Sequence, residues 1–291
     1  MIDNATKVTI KEHLTKYCEN AGSDNKAATA LSISNAYISH IKRDNWAPIS
    51  DDMWRKLSAA LGIKFDESWR HADTVSYKTL TNIFEDAQHH ANVYGIVCSP
   101  GSGKTYTLDA YKRSHRNVFV VKCQRHTTER DFLRQILQGM GVTHPIFTIT
   151  GLLTTVLDRI SRLDAPLIII DEYEKVKNDV MFLFVDIYNE LHNKAGIVMV
   201  GTPNLRTRIE RGVQRGKMCF NEILSRLGGK LIDLPAPTSK DGAAVIRANG
   251  IDDTLSIQSI VNESLDDNNK VDLRRVERLV HKEKLMEGAA A

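Results

Sequence analysis

Two short stretches of this chain carry residue types suited to phosphate chemistry. The first is CSPGSGKT, Cys98 to Thr105. A strand, a glycine-rich turn and a helix start would bring several backbone N–H groups to one point, where the helix dipole adds positive potential. Gly101 and Gly103 let the chain wrap closely around phosphate oxygens. Lys104 brings a mobile charge to the β and γ phosphates, and the Thr105 hydroxyl can ligate Mg2+. Cys98 stands where the pattern G-x-x-x-x-G-K-S/T opens with glycine. At a strand end its small side chain is an adequate replacement if φ stays negative. The candidate nucleotide contacts are therefore Ser99, Pro100, Gly101, Ser102, Gly103, Lys104, Thr105 and Tyr106.

The second stretch, LIIIDEYEKV, ends an apolar run in Asp171 and Glu172. Carboxylates at the C-terminal end of a buried parallel strand are expected beside the loop of a neighbouring strand, where ligands of α/β sheets bind. Asp171 would hold Mg2+ through water, and Glu172 would orient and polarise an attacking water. Together the stretches predict a nucleotide-hydrolysing core that works mostly by positioning and charge neutralisation.

Such residues need a parallel sheet beneath them, and the sequence supplies its elements. After His90, the runs VYGIVCS, NVFVVKC, APLIIIDE, GIVMVGT and KLIDLP read as strands. Amphipathic helical patterns alternate with them, among them TERDFLRQILQGMG, GLLTTVLDRISRL and DVMFLFVDIYNELHN. That alternation argues for an α/β fold with a parallel sheet covered on both faces. Ahead of it, residues from about 5 to 70 read as short helices; from Thr238 onward three helical patterns form a small lid-like subdomain. The expected domains are 1–72, 73–236 and 237–291.

Inside the first domain, NKAATALSISNAYISHIKRD reads as a helix-turn-helix. Ala27, Ala28, Leu31, Ile33, Ile38 and Ile41 have the spacing that packs two short helices across a tight turn, with Ser32 in place of the usual glycine. The second helix would present Asn35, Tyr37, Ser39, Lys42 and Arg43 for groove contacts. Ten basic and nine acidic residues between Met1 and Arg70 make a poor electrostatic footprint, so protein docking stays open as the alternative. A stronger cluster is NLRTRIERGVQRGKM, where Arg206, Arg208, Arg211, Arg215 and Lys217 face a single acid, Glu210. Such a stretch can neutralise DNA phosphates without reading sequence. Its alternatives are a solvated loop or arginines serving a subunit interface. KCQRHTTER, with Lys122, Arg125, His126 and Arg130, forms a third and weaker candidate.

Composition sets the outer limits. A chain of 291 residues should fold as more than one domain, and 42% hydrophobic with 26% charged residues is ordinary for a globular protein. The longest apolar runs fall far short of the ~20 residues a membrane span needs. The start, MIDNATKVTIKEHL, lacks a basic region followed by an apolar one, so a cytoplasmic location and no membrane partner are expected. The four cysteines are scattered, which argues against zinc or a disulfide framework. A net charge of +3 says little about nucleic acid; only the local clusters do.

In their order these motifs resemble the AAA+ ATPases. GIVMVGTPNL resembles the sensor-1 strand of that superfamily, with Thr202 as the polar sensor and Asn204 as second choice. FNEILSRLGGKLIDLP is similar to the segment that carries the arginine finger, which would make Arg226 the finger, acting across a subunit interface. DLRRVERL resembles the sensor-2 position, with Arg274 first and Arg275 second. A helix-turn-helix, an AAA+ P-loop core and a helical lid in succession resemble the DNA transposition ATPases of the Mu-type B family. The resemblance implies ATP and Mg2+ as cofactors and self-association into a helical filament or ring on duplex DNA, mainly without sequence preference. It further implies delivery of that DNA to a transposase, stimulation of transposition, and hydrolysis stimulated by DNA or transposase. Two alternatives stand beside it. A helicase-loader-like ATPase would prefer single strands or a helicase, and a transcriptional regulator would hold a defined palindrome with or without nucleotide.

Overall fold

The computed structural model describes residues 4–61, 69–142 and 148–290. The chain divides into two units, Met1–Trp69 and Arg70–Ala291. The first is built from α1 (Asn4–Ala21), α2 (Asp24–Ala30), α3 (Asn35–Lys42) and α4 (Asp51–Ala60). Leu14, Leu31, Ile38, Ile41, Trp54 and Leu57 fill its core. α2 and α3 are the helix-turn-helix pair. Their starts are capped by Ser23 and Ser34, whose hydroxyls accept the N–H of Lys26 and Ala36. In the turn between them Ser32 has φ +52°, the left-handed region where glycine is the default.

The second unit begins with α5 (Val75–His90), β1 (Val93–Val97), α6 (Lys104–Ser114), β2 (Val118–Lys122), α7 (Glu129–Gly139) and α8 (Ile149–Ile160). Then follow β3 (Leu167–Asp171), α9 (Asn178–Leu191), β4 (Gly196–Gly201), α10 (Pro203–Gln214), α11 (Phe220–Arg226) and β5 (Ile232–Asp233). Three further helices, α12 (Ser239–Ala248), α13 (Thr254–Glu263) and α14 (Leu273–Ala290), complete it. The strands form one five-stranded sheet in the order β2-β3-β4-β1-β5, with every neighbouring pair parallel.

β-branched residues suit the pleat, and a strand covered on both faces needs no polar face. β3 and β4 are accordingly buried along their whole length. Their side chains alternate between two apolar cores: Ile168 and Ile170 enter one, Leu167 and Ile169 the other. Each such side chain contributes about 1.5–3 kcal/mol on burial. Gly196 lets α5 lie close against β4, since a Cβ there would sit 2.2 Å from the Ala87 carbonyl oxygen.

Two features depart from the sequence expectation. β1 and β3 are not neighbours; β4 lies between them, so Asp171 is one strand further from the loop than expected. Of the alternatives for the basic stretch after β4, the solvated loop does not hold. The stretch lies mostly in α10, with Pro203 at its first position and Leu205, Ile209 and Gly212 buried along one side. α11 packs against it so closely that a Cβ on Gly212 would meet the Phe220 ring at 2.3 Å.

Candidate nucleotide site

The loop after β1 has the conformation that its glycines allow. Gly101 and Gly103 have φ of +74° and +80°. Gly103 precedes α6 without a side-chain cap, which leaves the first-turn N–H groups for an outside acceptor. The Ser102 hydroxyl is buried with no hydrogen-bond partner among the described residues. An orphaned donor in a ring of N–H groups fits a phosphate oxygen, and in this respect the residues present suit the nucleotide. Cys98 keeps a negative φ and donates its N–H to the Gly201 carbonyl at 2.8 Å. Burial pushes its thiol up to about 12, so it acts here as a small neutral side chain.

The Lys104 ammonium donates to the Asp171 carboxylate, and the two side chains are only 12% and 5% exposed. Lys104 thus reaches across the end of β4 to β3. The strand register explains the reach: Val97 pairs with Gly201, Val200 with Asp171 and Asp171 with Lys122, so the strands end together at one edge. Thr105 is exposed at the start of α6. The Tyr106 ring is stacked on His71, with centroids 5.4 Å apart. Glu172 has φ +56° and pairs with Lys175 at 2.7 Å. A non-glycine residue in that region costs about 1 kcal/mol or more and is often found at functional sites.

Thr202, just beyond β4, is held by a residue that sequence reasoning missed. One oxygen of Glu174 accepts both the backbone N–H of Thr202 at 3.1 Å and its hydroxyl at 2.7 Å. The signal was present as the third acid of DEYEK. Asn204 is exposed on α10. At the other end of the chain, α14 starts against the loop: the Leu273 N–H donates to the Gly101 carbonyl at 2.9 Å. Asp272, also missed, accepts the N–H of Arg274 and lies against Gly101, where any Cβ would strike its carboxylate at 2.1 Å. Its sequence signal is an aspartate immediately before a helical run. Arg274 is exposed on the first turn of α14, while Arg275 donates to the Leu265 carbonyl.

The remaining candidates lie elsewhere. Arg226, at the end of α11, donates to Asn189 at 2.9 Å and lies 5.3 Å from the Tyr188 ring centre. Of the α10 cations, Arg206 is paired with Asp233 at 2.8 Å. Arg208 donates to the carbonyls of Glu174 and Val176 and to the Asn178 side chain. Burial pulls its pKa below the usual arginine value. Those two hold the fold together. Arg211, Arg215 and Lys217, together with Arg208, line a cleft of about 320 Å³ along α10, and none of its lining residues belongs to the loop 98–105. Lys122 pairs with Asp109 at 3.2 Å, and Arg125 is exposed. In the first unit, Asn35 donates to Asn25, Tyr37 is packed against the core, Lys42 is paired with Asp24, and Arg43 is exposed.

Sheet order, loop and strand-end carboxylates define a P-loop nucleotide-binding unit with the AAA+ architecture. Residues 87–209, less than half of the chain, match the family model described as an AAA domain. No curated protein sequence matches. Among solved structures, the chain is similar to one of Drosophila ORC bound to DNA, at 15% identity and a TM-score of 0.45, covering 74% of this chain and 55% of that one. It is also similar to the Thermotoga maritima RuvB Holliday junction branch migration motor, at 16% identity and a TM-score of 0.34, covering 71% and 67%. A third is C. elegans PCH-2, at 8% identity and a TM-score of 0.32, covering 70% and 51%. The chain spans about half the length of the ORC chain that it matches. No helix among the described residues is long and apolar enough to cross a membrane.

Proposed function

We propose that this chain is an ATP-dependent, non-sequence-specific duplex DNA-binding ATPase that assembles on target DNA, delivers it to a transposase and stimulates transposition. The observation that carries its catalytic part is the buried Lys104–Asp171 pair at the edge where the strands end, beside a loop with an orphaned serine hydroxyl. Without phosphate, each charge is compensated by the other. With ATP bound, Lys104 turns to the β and γ phosphates, which leaves Asp171 and Thr105 to hold Mg2+. The metal would neutralise phosphate charge as the terminal bond breaks. Glu172 would orient the attacking water, and Thr202 and Arg274 would contact the terminal phosphate. Arg226 completes the site of an adjoining subunit, a contribution worth about 10³–10⁵ in turnover where such fingers act.

The DNA part is supported by three cations, Arg211, Arg215 and Lys217, gathered on one cleft. Phosphate contacts of that kind are weak singly and are multiplied when subunits line up along a duplex. The helix-turn-helix of the first unit adds a second contact, with Arg43 foremost. The order of the units supports the transposition role.

The test is binding of purified protein to random-sequence duplexes of increasing length with ATP, ADP and no nucleotide. Binding that requires ATP, sharpens with length and persists in Glu172→Gln supports the proposal. Nucleotide-independent binding to one short defined site would replace it with a regulator. A preference for single strands would replace it with a helicase-loader-like role.

A further inference from the structure

Glu174 stands where three parts of the second unit meet. Two residues before it is Glu172, on the same turn after β3. Its carboxylate grips Thr202, the residue from which α10 starts, through two hydrogen bonds to one oxygen. The other oxygen is buried without a partner among the described residues. Gly201 leaves the room for it: a Cβ there would lie 2.6 Å from that oxygen. From the far side, Arg208 of α10 donates to the Glu174 and Val176 carbonyls, so side chain and backbone of this turn are both tied to one helix. That helix carries Arg211 and Arg215 into the basic cleft, and Glu174, Asn178 and Arg208 line the same cleft.

A carboxylate oxygen buried without a donor is costly. The ties make α10 and the turn after β3 one mechanical piece. We propose that Glu174 is a positioning residue that couples occupation of the α10 cleft by DNA phosphates to hydrolysis, by setting Thr202 relative to Glu172. The inference rests on the functional reading above and assigns its DNA response to a named residue. Phosphates held by Arg211 and Arg215 would fix α10, and the Glu174 and Arg208 bonds would pass that restraint to Thr202 and to the turn that carries Glu172, so that the two are held in working register. Misplacing a reacting group by about 1 Å can cost on the order of 100-fold in rate, so a small shift is enough.

The experiment is steady-state ATP hydrolysis by the full chain, with and without random-sequence duplex, in Glu174→Ala, Glu174→Gln and Thr202→Val. DNA affinity is measured alongside with a non-hydrolysable ATP analogue. Glu174→Ala should lower DNA-stimulated kcat by about tenfold to 100-fold, with KM for ATP within about twofold and DNA affinity not reduced. Glu174→Gln keeps an acceptor for Thr202 and should recover most of the stimulation. Thr202→Val keeps its shape and backbone bond, loses the hydroxyl that Glu174 holds, and should lower the ratio of DNA-stimulated to basal turnover, a readout that loss of a phosphate contact alone would leave unchanged, even if the alanine variant folds poorly. Full stimulation in both Glu174→Ala and Thr202→Val overturns the coupling. So does a loss in which KM, DNA affinity and melting temperature all move together and glutamine gives no rescue. A wild-type chain whose turnover ignores DNA that it binds overturns the coupling alone; a chain that binds no DNA overturns the functional reading with it.

Discussion

At the residue scale, the chemistry is concentrated in few side chains and their charges are internally matched. Lys104→Ala removes the cation proposed to meet the phosphates and leaves Asp171 buried without its partner. It should abolish nucleotide binding, read by calorimetry or a fluorescent ATP analogue, and an unchanged affinity would refute the assignment. Glu172→Gln keeps the shape and removes the base; hydrolysis should fall by at least about 100-fold while ATP stays bound. Cys98 offers a separate check. Its thiol, pushed up to about 12 by burial, stays protonated across neutral pH, with a thiolate fraction at pH 8 of about one in 10⁴. Cys123 is held in the same way. A thiol reagent at pH 8 should therefore modify the partly exposed Cys219 first, and Cys98 and Cys123 only after unfolding. Loop and carboxylates were legible in the sequence because glycine, lysine and paired acids at fixed spacing have few other uses. Glu174 and Asp272 were not, because an acid's partner is chosen by the fold and not by its neighbours in the chain.

At the element scale, the strands declared themselves as short β-branched runs, and the helices between them by their apolar period. Strand order did not. Nothing in one sequence says that β4 runs between β1 and β3, and that insertion brings Thr202 to the site. α10 was hidden for a different reason. The five cations of that stretch, three of them in α10, drew attention to charge, while Pro203 at the start and the Leu205–Ile209–Gly212 spacing carried the helical signal. Close packing gives this scale its own test. A methyl at Gly196 would collide with the Ala87 backbone carbonyl, which no rotamer change can relieve. Gly196→Ala should destabilise the second unit by about 1–3 kcal/mol, seen as a lower midpoint in denaturant with the slope unchanged. An unchanged midpoint would mean that α5 sits further from β4 than described.

At the scale of the whole molecule, the division into two units separates a helix-turn-helix from the nucleotide machinery. A chain beginning at Arg70 should still bind ATP, because Lys104, Asp171 and their supports all belong to the second unit. Arg226→Ala addresses assembly: ATP affinity should stay within about threefold while ATP-dependent oligomers on DNA, read by sedimentation, are lost. Normal assembly in that variant would remove the finger from the scheme. The bond from the Leu273 amide to the Gly101 carbonyl has a further consequence. That single proton sits at the seam between the final helix and the phosphate loop, and it can exchange with solvent only when the two part. Its deuterium uptake therefore times the opening of the seam directly, and nucleotide should slow that clock.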